Sequence, residues 1–202
     1  MRARLVRVTL VSVGMMILAS AFFGILYPLV MTGAAQAIFP DRADGSLVKL
    51  NGQVVGSKLA GQEFTSPSYF HSRPSAVAYN PDPTSFANLG PDTLALQKEV
   101  RGYVAAALKL ERPYNPGLRA QDLPVDMITT SASGIDPQIS KANARLQANR
   151  VARVRGVPLA RVLDLVGDET DGRDAGFLGE AGVNVLLLNL DLDRAFGPPR
   201  RS

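Results

Sequence analysis

Cysteine and tryptophan are both absent from the 202-residue chain, and His71 is the only histidine. Without cysteine there is no disulfide, no thiolate metal site and no cysteine nucleophile. One histidine excludes a histidine-rich metal centre. Neither G-x-x-x-x-G-K-[ST] nor a dinucleotide fingerprint occurs, so the backbone cradle of a self-sufficient nucleotide site is missing. Charge is missing too, over one long stretch: nothing from Val8 to Pro40 is charged. The formal net charge of +4 is therefore unevenly placed. Arg2, Arg4 and Arg7 precede the uncharged run, and the remainder holds 19 basic and 18 acidic residues. A body so nearly neutral is no phosphate-binding surface, which excludes nucleic acid as a partner.

The run VTLVSVGMMILASAFFGILYPLV is long enough to cross a bilayer, which takes about 20 apolar residues. Short basic flanks stay in the cytoplasm. The expected layout is a cytoplasmic tail over 1–7, a transmembrane helix over 8–31 and an extracytoplasmic domain over 32–202. The alternative is a signal peptide cleaved after Ala35-Gln36-Ala37, which would release a secreted binding protein. The apolar run is longer than the ~7–15 residues of an ordinary signal core, and this favours an uncleaved anchor. Ser20 and Gly24 form a small-xxx-small pair that would let a second helix in the membrane lipid approach closely.

Beyond the anchor the pattern is α+β in one domain. SLVKLNGQVVGS (46–57) predicts a hairpin, because Asn51-Gly52 tolerates the positive φ angles of a two-residue turn. A long loop rich in Pro, Ser, Asn and aromatics follows, of a kind usually functional or pinned by its own aromatics. A helix is expected from Pro91 to Glu111, with Leu96, Val100, Tyr103, Val104, Ala107 and Leu108 on one face and Pro113 beyond its end. VDMIT (125–129) predicts a short strand. Ser140 suits the N-cap of a helix ending at Gly156, and Pro158 starts another, with Leu159, Val162, Leu163 and Val166 on one face. VNVLLLNLDLD (183–193) predicts a strand with leucines on one face and Asn189, Asp191 and Asp193 on the other.

Chemistry has few candidates. Ser133 with His71 and an aspartate would make a triad, and an anchored periplasmic serine hydrolase using Ser133 or Ser46 is the rival enzymatic reading. A nucleophile elbow needs G-x-S-x-G, and Ser131-Ala132-Ser133-Gly134 lacks the first glycine. Ser46-Leu47-Val48-Lys49 matches S-x-x-K, but it sits in the hairpin and lacks companion motifs. Asp168, Glu169, Asp171 and Asp174 cluster around Gly172 without EF-hand spacing, and predict a solvated turn. TSASGIDPQIS (130–140) is the most ordered motif, read first as the start of a helix. Gln147 shares a helical face with Ala144, Val151 and Val154, so its amide must find partners in the fold, on another subunit or on a ligand.

YPLVMTGAAQAIFP, GSLVKLNGQVVGSKLAGQEFTSPSYFHSRPSAVAYNP, ITTSASGIDPQIS and VNVLLLNLDLD, in this order behind one N-terminal span, closely resemble the C subunit of the Kdp potassium-transporting P-type ATPase. The resemblance covers roughly Leu10 to Asp193. It implies an accessory, non-catalytic subunit of a high-affinity, ATP-driven potassium importer in the bacterial inner membrane. Its partners would be a potassium-channel-like subunit and a P-type ATPase subunit. It implies a catalytic chaperone that aids assembly and raises the pump's affinity for ATP. The chain would have no cofactor of its own and at most share ATP with the pump subunit. The family's candidate nucleotide-contacting glutamine, downstream of the Ser-x-Ser-Gly turn at Ser133 and Gly134, falls on Gln147. The chain departs from the family pattern at Gln138, where histidine is usual, and at Pro83–Ala87, which replace a glycine-rich loop.

Overall fold

The computed structural model describes residues 1–80, 82, 88–173 and 175–199, so the Pro83–Ala87 departure and Asp174 lie outside the described residues. The chain divides into two compact units, Met1–Leu47 and Val48–Ser202.

The first unit is dominated by one continuous helix, Arg2–Ile38, of 37 residues. It comprises α1 (Arg2–Ala21), a single π-type turn (Phe22–Leu26) and α2 (Tyr27–Ile38). The widened turn has a local cause: the Pro28 ring crowds the carbonyl four residues earlier, that of Gly24, and the helix relaxes around it. None of its residues is buried, and its mean hydropathy over the best window is 2.2. At 1.5 Å per residue the helix is about 55 Å long, more than the ~30 Å hydrocarbon core of a bilayer requires. The short helix α3 (Pro40–Ala43) follows.

The hairpin forms as expected from β1 (Leu47–Leu50) and β2 (Gln53–Ser57), with Asn51 and Gly52 at φ 52° and 82°. Helix α4 runs Leu94–Glu111, three residues later than Pro91, because the Thr93 side chain accepts from the Leu96 amide and caps it. Residues 125–129 are a correction. Val125–Ile128 is a short helix, α5, rather than a strand. Pro124 presets the chain before it, and the Asp126 carboxylate is engaged by the next helix rather than by a neighbouring strand.

Strand β3 (Gln138–Ser140) leads into α6 (Lys141–Arg155), followed by α7 (Leu159–Asp168), β4 (Thr170–Asp171), β5 (Gly182–Asn184) and α8 (Val185–Phe196). The ends of α6 follow their sequence signals: Ser140 Oγ accepts from the Asn143 amide at 3.1 Å, and Gly156 stops the helix at φ 68°. The second correction is larger. Residues 183–193 are strand only as far as Asn184 and helical thereafter. Asn184 Oδ1 accepts from the Leu187 amide at 3.1 Å and starts the helix. Val185, Leu186, Leu188, Asn189, Leu190 and Leu192 are all buried, so the helix is covered over most of its circumference and its leucines alternate without forming a strand.

The sheet has the order β3-β5-β4, antiparallel throughout, with Ile139 opposite Val183 and Ser140 opposite Gly182. The main core joins Ile139 and Val183 to Ala144, Ala148, Val151 and Ala152 of α6, Val162 and Val166 of α7, Leu188 and Leu192 of α8, and Phe70 from the long loop. Alanines at 144, 148 and 152 fall at i, i+4 and i+8, so one row of α6 is short enough to pack closely on its neighbours. A smaller cluster gathers Val48, Leu186 and Leu190.

Candidate functional site

The stretch 130–140 is a seam joining the long loop to α6. Gly134 has φ 74°, where a β-branched residue is strongly disfavoured, and its carbonyl accepts from Ser75 Oγ at 2.6 Å. The Ser131 amide donates to the Pro74 carbonyl at 3.1 Å, and the Gly61 amide donates to the Ile135 carbonyl at 2.7 Å. A Cβ on Gly61 would stand 2.3 Å from the Asp136 carbonyl oxygen, so this crossing needs glycine. Asp136 accepts from the Gln138 amide at 3.0 Å and pairs with Arg73 at 3.0 Å. Asp126 ties the seam to the helix: its carboxylate accepts from the Ser140 amide and hydroxyl and from Asn143 Nδ2 at 2.7–2.9 Å. Gln138 reaches across to β4, donating to Asp171 Oδ2 at 3.0 Å.

The loop beside this seam, SPSYFHSRPSA, is pinned by its aromatics, Phe70 in the core and Tyr69 against Asp193 and Arg155, and also by polar side chains from α6 and α8. The amide of Asn189 pairs with both backbone groups of Phe70: Oδ1 accepts from the N–H at 2.8 Å, and Nδ2 donates to the carbonyl at 2.9 Å. The amide of Gln147 does the same to His71, at 2.8 and 3.1 Å. Two side chains thus stand in for a neighbouring strand. Gln147 Nε2 also donates to Asn143 Oδ1 at 2.8 Å, and Gln147 Oε1 accepts from Arg150 Nη2 at 2.7 Å. Its four hydrogen-bonding positions are therefore all engaged within the chain. Val154, placed on the same face from sequence, is instead exposed.

Arg150 is fully buried, pairs with Glu111 at 2.8 Å, and donates to the carbonyls of Pro67 and Tyr69. Arg155 donates to the Ser68 carbonyl at 2.7 Å, pairs with Asp193 at 2.8 Å and lies 4.8 Å from the Tyr69 ring centre. Nothing in the sequence announced Arg150 or Asn189 as central. The available signal was the polar residue on an apolar helical face, which singled out Gln147 alone.

A cleft of about 520 Å³ opens where Gln147 and Asn143 meet α4 and the loop. Glu111, Asn143 and Gln147 are buried, while Glu63 and Thr65 are exposed, so the first three form its floor and the last two its mouth. Burial raises the carboxyl pKa of Glu111 against the opposing pull of Arg150, and Glu111 Oε2 has no hydrogen-bond partner. His71 Nε2 lies 2.9 Å from the Ser66 carbonyl, which can only accept, so Nε2 carries the proton and Nδ1 is left as an acceptor. Desolvation, with Arg150 nearby, lowers the His71 pKa to about 4 and keeps the ring neutral at pH 7.

The structure does not join the proposed triad by hydrogen bonds. Ser133 Oγ accepts from the Ile135 amide at 3.2 Å, and His71 is turned to Ser66. Ser46 lies before β1 at φ 51°, and Lys49 stands on an extended strand rather than on a helical turn. Of the acids near Gly172, Glu169 is perturbed: desolvation and the adjoining Asp191 carboxyl raise its pKa to about 7. Among the described residues no group of His, Asp or Glu has a metal-holding arrangement.

The family described as K+-transporting ATPase, c chain, matches residues 9–194. The potassium-transporting ATPase KdpC subunit of Myxococcus xanthus is 53% identical over 178 residues, 87% of this chain and 82% of that protein. The subunit of the same name from Koribacter versatilis is 46% identical over 184 residues, 90% of this chain and 92% of that protein. That of Polaromonas naphthalenivorans is 51% identical over 173 residues, 84% and 86% of the two chains.

Proposed function

This chain belongs to the K+-transporting ATPase c-chain family, and from that premise we propose that it is a non-catalytic subunit acting on the pump through contact alone. It is a membrane-associated protein, with one helix among the described residues long and apolar enough to span a bilayer. Its partners are a potassium-channel-like subunit and a P-type ATPase subunit in the bacterial inner membrane. The N-terminus is cytoplasmic and the domain extracytoplasmic, a reading supported by Arg2, Arg4 and Arg7 before an uncharged run. The subunit aids assembly and raises the pump's affinity for ATP as a catalytic chaperone.

The observation carrying this reading is the state of Gln147. Its amide is fully engaged by His71, Asn143 and Arg150, so a nucleotide could bind it only by displacing one of these partners. Ser133 and Gly134 are likewise engaged in the seam. ATP is cytoplasmic, and an extracytoplasmic domain affects its binding by favouring one conformation of the partner. Photolabelling the complete complex with an azido-ATP tests this. Label confined to the P-type subunit is the expected result, and label on the peptide containing Gln147 would establish a direct contact instead. Recovery of the chain without partners from mild detergent would contradict the subunit assignment.

A further inference from the structure

The side chains of the cleft beside Gln147 offer more accepting than donating capacity. Most of the side-chain groups that could donate into it are already engaged. Asn143 Nδ2 donates to Asp126, and Gln147 Nε2 donates to His71 and Asn143. The Ser72 hydroxyl donates to the Gln62 carbonyl, that of Ser75 to Gly134, and that of Tyr79 to Arg73. What remains is mostly accepting: the exposed carboxylate of Glu63 at the mouth, the unprotonated Nδ1 of His71, and Glu111 Oε2, buried on the floor without a partner. One N–H of Asn143 Nδ2 is left to donate, and the Thr65 and Tyr103 hydroxyls retain a free choice of role.

The walls add a second, independent preference. Tyr79 and Tyr103 line the cleft together with Phe64, Leu110 and Met127. Burial raises both phenol pKa values, Tyr79 to about 12, so the rings stay neutral at pH 7. Neutral aromatic faces attract cations. Among the described residues lining the cleft there is no lysine or arginine. Arg150 does not line the cleft and is paired with Glu111, and Glu63 is the exposed charge at the mouth. A triphosphate would meet acceptors and a carboxylate, and would be repelled.

We propose that this cleft is a binding site for an alkylammonium or guanidinium group on a short apolar stem. The head would face Glu63 and the tyrosine faces, and the stem would lie against Phe64, Leu110 and Met127. Two sources carry this chemistry: a free amine, or a lysine or arginine side chain of a neighbouring subunit. The volume of about 520 Å³ suits either.

Met127 is the sole methionine after residue 47, so a 13C-methyl label on methionine puts one reporter in the domain, inside the cleft. The full chain in detergent micelles is titrated with n-butylamine, N-acetyl-lysinamide, n-butanol, butyrate and ATP. The Met127 resonance should shift saturably with the two amines and not with butyrate or ATP. Tighter binding of N-acetyl-lysinamide assigns the site to a protein side chain, and tighter binding of butylamine to a free amine. Glu63→Gln, at an exposed position that leaves the fold intact, should weaken the amines about fivefold. Butanol matching butylamine, a saturable response to ATP or butyrate, no response to either amine, or unchanged affinity in Glu63→Gln would each overturn the proposal.

Discussion

The N-terminal helix and the domain solve opposite problems with opposite residues. Between Val8 and Ile38 the helix carries no charge and buries nothing within the chain; its backbone hydrogen bonds are internal, and its apolar surface is left for lipid. The domain buries Arg150, Glu111, Asn143, Gln147, Asn184 and Asn189, and uses most of them to hold backbone that no strand or helix holds. A spanning helix satisfies its polar groups by local rule. A long loop must borrow donors and acceptors from distant helices, and the domain's interior is organised around that loan.

The sharpest way to break this contrast is Arg150→Met. The substitution strands the buried Glu111 carboxylate and the Pro67 and Tyr69 carbonyls, and removing one partner of a buried pair costs about 3–5 kcal/mol. Urea unfolding followed by tyrosine fluorescence should show the domain destabilised by that amount. The N-terminal helix should keep its far-ultraviolet signal in micelles.

Asn189→Leu comes next. It conserves approximate volume while leaving the Phe70 N–H and carbonyl unpaired, at a cost of about 1–3 kcal/mol. Hydrogen exchange should accelerate at Phe70 and its neighbours ahead of the rest of the domain. Exchange that speeds up uniformly would mean that the clamp does not act locally.

Ser140→Ala removes the cap of α6 and a donor to Asp126, and should cost about 0.5–2 kcal/mol in the same unfolding experiment.

The smallest effect belongs to Glu169. Its carboxyl pKa rises in the fold from the usual 4.5 to about 7, chiefly by desolvation and then by Asp191. A raised acid pKa means that the folded state holds the proton more tightly. Its favourable contribution is therefore complete below about pH 4.5 and is lost as pH rises through 7. Glu169→Gln should flatten that loss, making the variant more stable than the parent at pH 8 and little different at pH 4. Parallel pH profiles would show that Glu169 titrates normally.

How much of this was legible follows the range of the interactions. The long apolar helix, the Asn51-Gly52 turn, the Ser140 cap and the Gly156 stop are local, set by residues within a few positions of each other, and the sequence signals for them held. The clamps are not local: Gln147 reaches His71 across 76 positions and Asn189 reaches Phe70 across 119. Gln147 was found because a polar residue interrupted an apolar face. Asn189 was missed because 183–193 read as a strand, in which it belonged to the solvent side. Alternating leucines fit a half-buried strand and a helix buried nearly all round equally well. The feature that separates them here is Asn184 as a cap ahead of leucines, which are strong helix formers. Residues 125–129 failed for a related reason: five residues after a proline, three of them apolar, carry no period long enough to decide.

The central proposal is that the domain acts from outside the cytoplasm on a nucleotide site inside it. The chain has no cysteine, so one introduced at Gln97, exposed on α4, is the only thiol it presents. Whole cells expressing this variant within the complete complex are treated with a membrane-impermeant maleimide, and the tagged chain is then isolated. The account predicts labelling in intact cells. Labelling only after the inner membrane is broken would contradict it, placing the domain beside cytoplasmic ATP and making a direct contact through Gln147 geometrically open.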